Sequence, residues 1–96
     1  MKVEYSNRAV VDLRRLAVES QREYGGSVAA EIEAFIRKTI TQIAHAPESR
    51  PTVFGRPGVH AAALVRYPYK VFYRAYEDRV RVLYIRHTAQ RPWETQ

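Results

Sequence analysis

Six residues in the C-terminal half have the types and placement to do chemistry: Arg66, Arg74, Arg86, His87, Arg91 and Trp93. A guanidinium group is planar, permanently charged and suited to bidentate contact with phosphate or carboxylate. Histidine titrates near neutral pH and can serve as general acid or base. Arginines that stabilise a phosphorane, together with one modest proton-transfer group, are enough for a metal-independent ribonuclease, and Arg66, Arg86 and His87 are the candidates for those roles. The same arginines also suit pure binding. Tyr67, Tyr69, Tyr73, Tyr76 and Tyr84 are interleaved with them, with Trp93 beyond, and such mixtures stack on single-stranded RNA or anchor protein interfaces. Each residue also has an ordinary reading. An arginine pairs with a nearby acid or guards a strand edge, a strand-end histidine bonds a loop carbonyl, and strands favour tyrosine. The acids of this half, Glu48, Glu77, Asp78 and Glu94, fall in turns or the tail, so none is an obvious base for His87.

Charge supports a working surface in this half. The net charge of the 96 residues is +6. Residues 1–46 carry seven Lys/Arg against six Asp/Glu, whereas residues 47–96 carry nine against four. Thirteen of the sixteen cations are arginine, a bias toward polyanionic partners: nucleic acid, a ribosome or an acidic protein. With no cysteine, a disulfide framework, a thiolate metal site and a cysteine nucleophile are excluded. His45, His60 and His87 lack zinc-site spacing, so neither metal nor cofactor is expected. No apolar run approaches the roughly 20 residues that span a bilayer, and the N-terminus reads as a strand rather than a signal peptide. A cytoplasmic location is expected.

The elements that must position these residues follow from periodicity. Lys2 to Tyr5 alternates as a short strand, and Ser6 or Asn7 can cap a helix after it. Val10, Leu13, Leu16, Ala17, Ser20 and Tyr24 recur at helical spacing until Gly25-Gly26 stops the run. Ser27 can cap a second helix with the stripe Val28, Ile32, Phe35, Ile36, Thr39, Ile40 and Ile43, which Pro47 ends. Two such helices with a short link form an antiparallel hairpin. Residues 47–58 hold three prolines and two glycines and read as a loop pinned to the core by Val53 and Phe54. The period then becomes two, predicting strands at 59–66, 69–76 and 79–87 in an antiparallel meander. The expectation is a single α+β domain over residues 1–96, ordered β-α-α-β-β-β, with the helical hairpin packed on a small antiparallel sheet. Strict alternation leaves neither face of the last two strands purely apolar, so the face that meets the helices stays open.

The stretch Arg66-Tyr67-Pro68-Tyr69-Lys70-Val71-Phe72-Tyr73-Arg74, the strand Val82-Leu83-Tyr84-Ile85-Arg86-His87 and the tail Thr88 to Trp93 resemble the RelE/ParE superfamily of toxins from type II toxin–antitoxin (plasmid stabilisation) systems. The opening Val3-Glu4-Tyr5-Ser6 and the Arg/Leu-rich helix after it resemble that superfamily too. The resemblance implies a toxin neutralised by an acidic, amphipathic antitoxin segment. One branch of the superfamily cleaves mRNA in the ribosomal A site, and the other inhibits DNA gyrase. In the nuclease branch an arginine lies just past the last strand, with a tyrosine several residues later. Here Thr88 follows His87 and the tail offers Trp93 instead, although Arg66 matches the nuclease arginine before the central hairpin. The long helical hairpin is also more similar to ParE. The resemblance thus implies a growth-inhibiting gyrase binder whose target and antitoxin meet Arg66, Arg74, Arg86, His87, Arg91 and Trp93. The alternatives are a ribosome-dependent mRNA endoribonuclease and a non-toxic basic adaptor.

Overall fold

In the computed structural model, which describes residues 1–88, Ser6 starts the first helix. Its extended backbone (φ −68°, ψ 162°) lets the hydroxyl accept the Ala9 N–H at 3.0 Å while donating to the Leu83 carbonyl. This one side chain caps the helix and fastens it to the last strand. The elements run β1 (Lys2–Tyr5), α1 (Asn7–Tyr24), α2 (Gly26–His45), a 3-10 turn (Pro47–Ser49), β2 (Thr52–Val53), β3 (Arg56–Ala63), β4 (Tyr69–Ala75) and β5 (Arg79–His87). A single residue, Gly25 at φ 88°, joins the helices; its N–H closes α1 on the Gln21 carbonyl and α2 begins directly after it. A side chain is strained at that φ, which is why glycine does this work. Ser27, expected as the second cap, instead lies inside the first turn of α2.

The hairpin buries Ala9, Leu16 and Ser20 of α1 and Ile32, Ile36, Thr39, Ile40 and Ile43 of α2. They pack on Tyr69, Val71, Tyr73, Val80, Val82 and Ile85 of the sheet. Each fully buried isoleucine or valine contributes about 1.5–3 kcal/mol. The buried hydroxyls answer to their own helices: Thr39 donates to the Phe35 carbonyl at 2.9 Å and Ser20 to Ala17 at 3.3 Å.

The sheet has five strands in the order β1-β5-β4-β3-β2. The expected meander is its centre, β3-β4-β5, with both junctions antiparallel. Two strands are added to it: β1 pairs parallel with β5, which makes the sheet mixed, and the two-residue β2 pairs antiparallel with β3. Local periodicity predicts strands, but not a pairing between residues 2–5 and 79–82. Strand β3 starts at Arg56 and ends at Ala63, so Arg66 sits in the following turn rather than on the strand. The loop is pinned otherwise than expected. Val53 is half-buried, but Phe54 is fully exposed; the hold comes from His60, whose Nδ1 donates to the Arg50 carbonyl at 2.8 Å, and from the Tyr73 hydroxyl, which donates to Pro47.

One irregularity sets the faces of the sheet. Phe72 is opposite Tyr84 and Tyr73 is opposite Val82, so Leu83 is an extra residue in β5. A bulge of this kind resets the alternation. Val80 and Val82 before it, and Ile85 after it, therefore all face the helices. Arg81, Tyr84 and Arg86 face away.

Candidate functional surface

Away from the helices, β4 presents Lys70, Phe72 and Arg74, and β5 presents Arg86, Tyr84 and Arg81 directly opposite them. Strand β3 adds Ala63, Ala61 and Val59 in register with Lys70, Phe72 and Arg74. Ala61 and Ala63 keep the β3 side of this face low, and cations lie at both of its ends. Lys70 and Arg86 lie at one end, Arg74 and Arg81 about 13 Å along the strands at the other. Like charges this close are tolerated because water reaches their head groups.

The centre is an aromatic pair with cations on top. Phe72 and Tyr84 stack at 4.6 Å between ring centroids, 20° from parallel. The Arg8 guanidinium, from the first turn of α1, lies 4.4 Å from the Tyr84 centroid, and that of Arg56 lies 5.5 Å away while donating to the Tyr84 hydroxyl. Tyr84 is consequently only 8% exposed although it is on the open side. Such cation–aromatic contacts stabilise by about 0.5–2 kcal/mol each and hold the guanidinium groups in place.

Arg74, Arg79 and Arg81 have fixed partners. Arg74 donates to the Pro57 carbonyl at 3.1 Å. Glu4 on β1 takes the Arg79 guanidinium at 2.8 Å and that of Arg81 at 3.6 Å, and Arg79 also meets Asp78 at 3.0 Å and lies over the Tyr76 ring at 4.3 Å. The carboxylates bonded to Arg79 raise its already high pKa.

The predicted site residues are therefore only partly brought together. Arg74 and Arg86 share the open face at its two ends. His87, next to Arg86 in sequence, is on the opposite side of the sheet, with its ring edge-to-face with Tyr69 at 5.1 Å and 83°. Arg66 lies in the turn beside α2, its guanidinium 6.0 Å from the Tyr67 ring. The Tyr67 hydroxyl bonds Glu31 at 3.0 Å, and that bond raises the tyrosine pKa. Arg91 and Trp93 lie outside the described residues. The tyrosines do not form one stacking platform either, since Tyr69 and Tyr73 are core residues of the helix side. Tyr84 was among the expected binding aromatics, but Arg8 and Arg56 were not expected at the surface's centre. The glycines flanking Arg56-Pro57 were the available signal, because they let β3 begin early and carry Arg56 onto the sheet.

Among the described residues no group of three or more His, Cys, Asp or Glu side chains could hold a metal ion. In the same residues no helix is long and apolar enough to cross a membrane.

This fold has known counterparts. The chromosomal ParDE TA system from P. aeruginosa matches with a TM-score of 0.78 at 19% identity, over 91% of this chain and 95% of that one. The isolated E. coli RelE toxin gives 0.63 at 15% identity, over 98% and 90% of the two chains. The intact E. coli RelBE toxin–antitoxin complex gives 0.63 at 18%, over 94% and 98%. At these identities the likeness is one of fold. No curated protein shows a significant match. The sequence itself, from residue 3 to residue 92, matches the family model described as ParE toxin of type II toxin-antitoxin system, parDE, and the chain belongs to that family.

Proposed function

We propose that this ParE-type toxin arrests growth by binding DNA gyrase, without cleaving RNA, and that the acidic segment of a cognate antitoxin neutralises it by covering the basic sheet face. The observation that carries the choice of binding over cleavage is the divergence of Arg86 and His87. Transition-state stabilisation and proton transfer must converge on one phosphate, within hydrogen-bond reach of it. Here the pleat sends Arg86 to the open face and His87 to the helix side, and Arg66 lies in the turn beside α2. The open face, with its cations held by Tyr84 and Pro57, is a preorganised receptor for carboxylates. The fold shared with the ParDE and RelBE assemblies supports an antitoxin partner. On this reading the chain works in the cytoplasm, as part of a plasmid-stabilisation or chromosomal toxin–antitoxin pair.

The test is expression from a tight promoter while plasmid supercoiling and transcript integrity are followed. Growth arrest with lost supercoiling and intact transcripts is expected. Transcripts cut during translation, with cutting abolished by Arg66→Ala or His87→Ala, would replace this reading with the endoribonuclease. Harmless expression would leave the basic adaptor.

A further inference from the structure

We infer that Phe54 is an anchor by which the toxin seats itself in an apolar pocket of the protein it inhibits. This rests on the reading of the chain as a toxin that acts by binding protein, and it adds a residue outside the basic face.

Phe54 is 103% exposed, more than any other large apolar side chain among the described residues. Burying such a ring is strongly favourable, and the folded chain leaves all of that gain unused. The position is not a loose loop. Phe54 and Gly55 are the two central residues of a hairpin turn whose flanks, Val53 and Arg56, are paired. Gly55 takes φ 78°, which allows the tight reversal.

The base of this turn is tied down on every side. The Ala61 N–H donates to the Pro51 carbonyl at 3.0 Å. His60 holds the Arg50 carbonyl, Arg56 holds the Tyr84 hydroxyl, and Arg74 holds the Pro57 carbonyl. An aromatic ring presented on a fixed backbone loses little freedom when it binds, which is the property of an interface anchor.

The chemistry around the ring selects the partner. Residues 51–59 carry one charge, Arg56, and that guanidinium is turned onto Tyr84. A wedge into nucleic acid needs cations beside it for the phosphates, and adsorption to an anionic bilayer needs cations or a wider apolar area. An uncharged tip with one protruding ring fits a preformed pocket on a protein.

The experiment compares wild type, Phe54→Ala and Phe54→Trp. It measures thermal unfolding, inhibition of supercoiling by purified gyrase holoenzyme, growth arrest against inducer, and gel shift of single- and double-stranded DNA. The expected result is an unchanged melting temperature in Phe54→Ala, with the dose for half-inhibition raised tenfold or more and Phe54→Trp near wild type. Equal potency of Phe54→Ala in both inhibition assays overturns the anchor and leaves the gyrase reading intact. Growth arrest that depends on Phe54 while gyrase is untouched keeps the anchor and removes gyrase as its target. A fall in melting temperature, or a loss confined to DNA binding, overturns the anchor. A wild-type chain inactive in both inhibition assays overturns both readings.

Discussion

The Asp12 carboxylate on α1 accepts the backbone N–H of Ile85 on β5 at 3.0 Å. Strand β1 pairs with β5 only as far as Tyr5 opposite Val82. Beyond that point the edge of β5 has no strand beside it, and α1 supplies the hydrogen bonds instead. Ser6 N–H donates to the Val82 carbonyl at 3.0 Å, the Ser6 hydroxyl donates to the Leu83 carbonyl, and Asp12 accepts the Ile85 N–H. The start of α1 thus stands in for a continued strand across the bulge.

Asp12→Ala should therefore destabilise by about 1–3 kcal/mol, the range for leaving a part-buried amide without a partner. Asp12→Asn, which keeps an acceptor oxygen, should recover much of that loss. Arg15 lies 3.9 Å from the same carboxylate but is mostly exposed, so Arg15→Ala should change stability by less than about 1 kcal/mol. Urea denaturation midpoints measure all three.

The bulge at Leu83 also explains which part of the fold was legible. The stripe of α2 was read correctly because a 3.6-residue period is local, and Ile32, Ile36, Ile40 and Ile43 are all core. On α1 Leu16 and Ser20 are buried as expected, but Ala17 and Tyr24 are exposed and Ala9 is buried instead. The strands β1, β4 and β5 were read for the same reason, but β2 was read as loop and β3 lies three residues earlier than its expected span. The faces of β5 were not read, because one extra residue changes the phase: Arg81 and Ile85 share parity in sequence but lie on opposite sides. Nor was the parallel union of β1 with β5, which joins residues more than seventy apart. At the site, Arg74 and Arg86 were read onto the sheet, but the separation of Arg86 from His87 depends on the pleat. The exposure of Phe54 depends on a turn whose register periodicity does not reach. Deleting Leu83 tests the phase directly. It should turn either Val80 and Val82 or Ile85 out of the core, and cooperative unfolding should be lost. Leu83→Ala, which keeps the count, should still unfold cooperatively by circular dichroism.

Stability should decline in alkali. Burial pushes the hydroxyls of Tyr69 and Tyr73 above the usual tyrosine value of about 10. The folded state then holds these protons more tightly than the unfolded chain. Their contribution is complete below about pH 10 and is lost as pH rises through the folded values. Tyr73→Phe should weaken that alkaline slope. At neutral pH it should cost about 0.5–1.5 kcal/mol through the lost bond to the Pro47 carbonyl. Denaturant titrations at several pH values between 8 and 11 separate the two effects.

Charge reversal at Arg86 should spare the fold and impair function. Arg86 faces away from the helices opposite Lys70, so Arg86→Glu gains an attraction within the sheet where wild type has repulsion. The melting temperature should hold or rise slightly, while toxicity falls and the salt dependence of antitoxin binding flattens. A large fall in melting temperature would mark Arg86 as structural.

Two glycines of the β3 entry allow a paired test of the Arg74 end of the basic face. Gly55 and Gly58 have nearly the same backbone, φ 78° and 79°, so alanine at either position costs about 1–2 kcal/mol of backbone strain. Their surroundings differ. A Cβ at Gly55 meets nothing within 4 Å, whereas one at Gly58 comes within 2.6 Å of the Arg74 guanidinium. That guanidinium is the flexible end of a side chain, so it should swing away and release the Pro57 carbonyl. Gly55→Ala and Gly58→Ala should thus lose similar stability, but only Gly58→Ala should disturb Arg74. If the cation at that end of the sheet engages the target, Gly58→Ala should lower growth inhibition to the level of Arg74→Ala at matched folded concentration. Wild-type toxicity of Gly58→Ala and Arg74→Ala at matched folded concentration would remove Arg74 from the working surface.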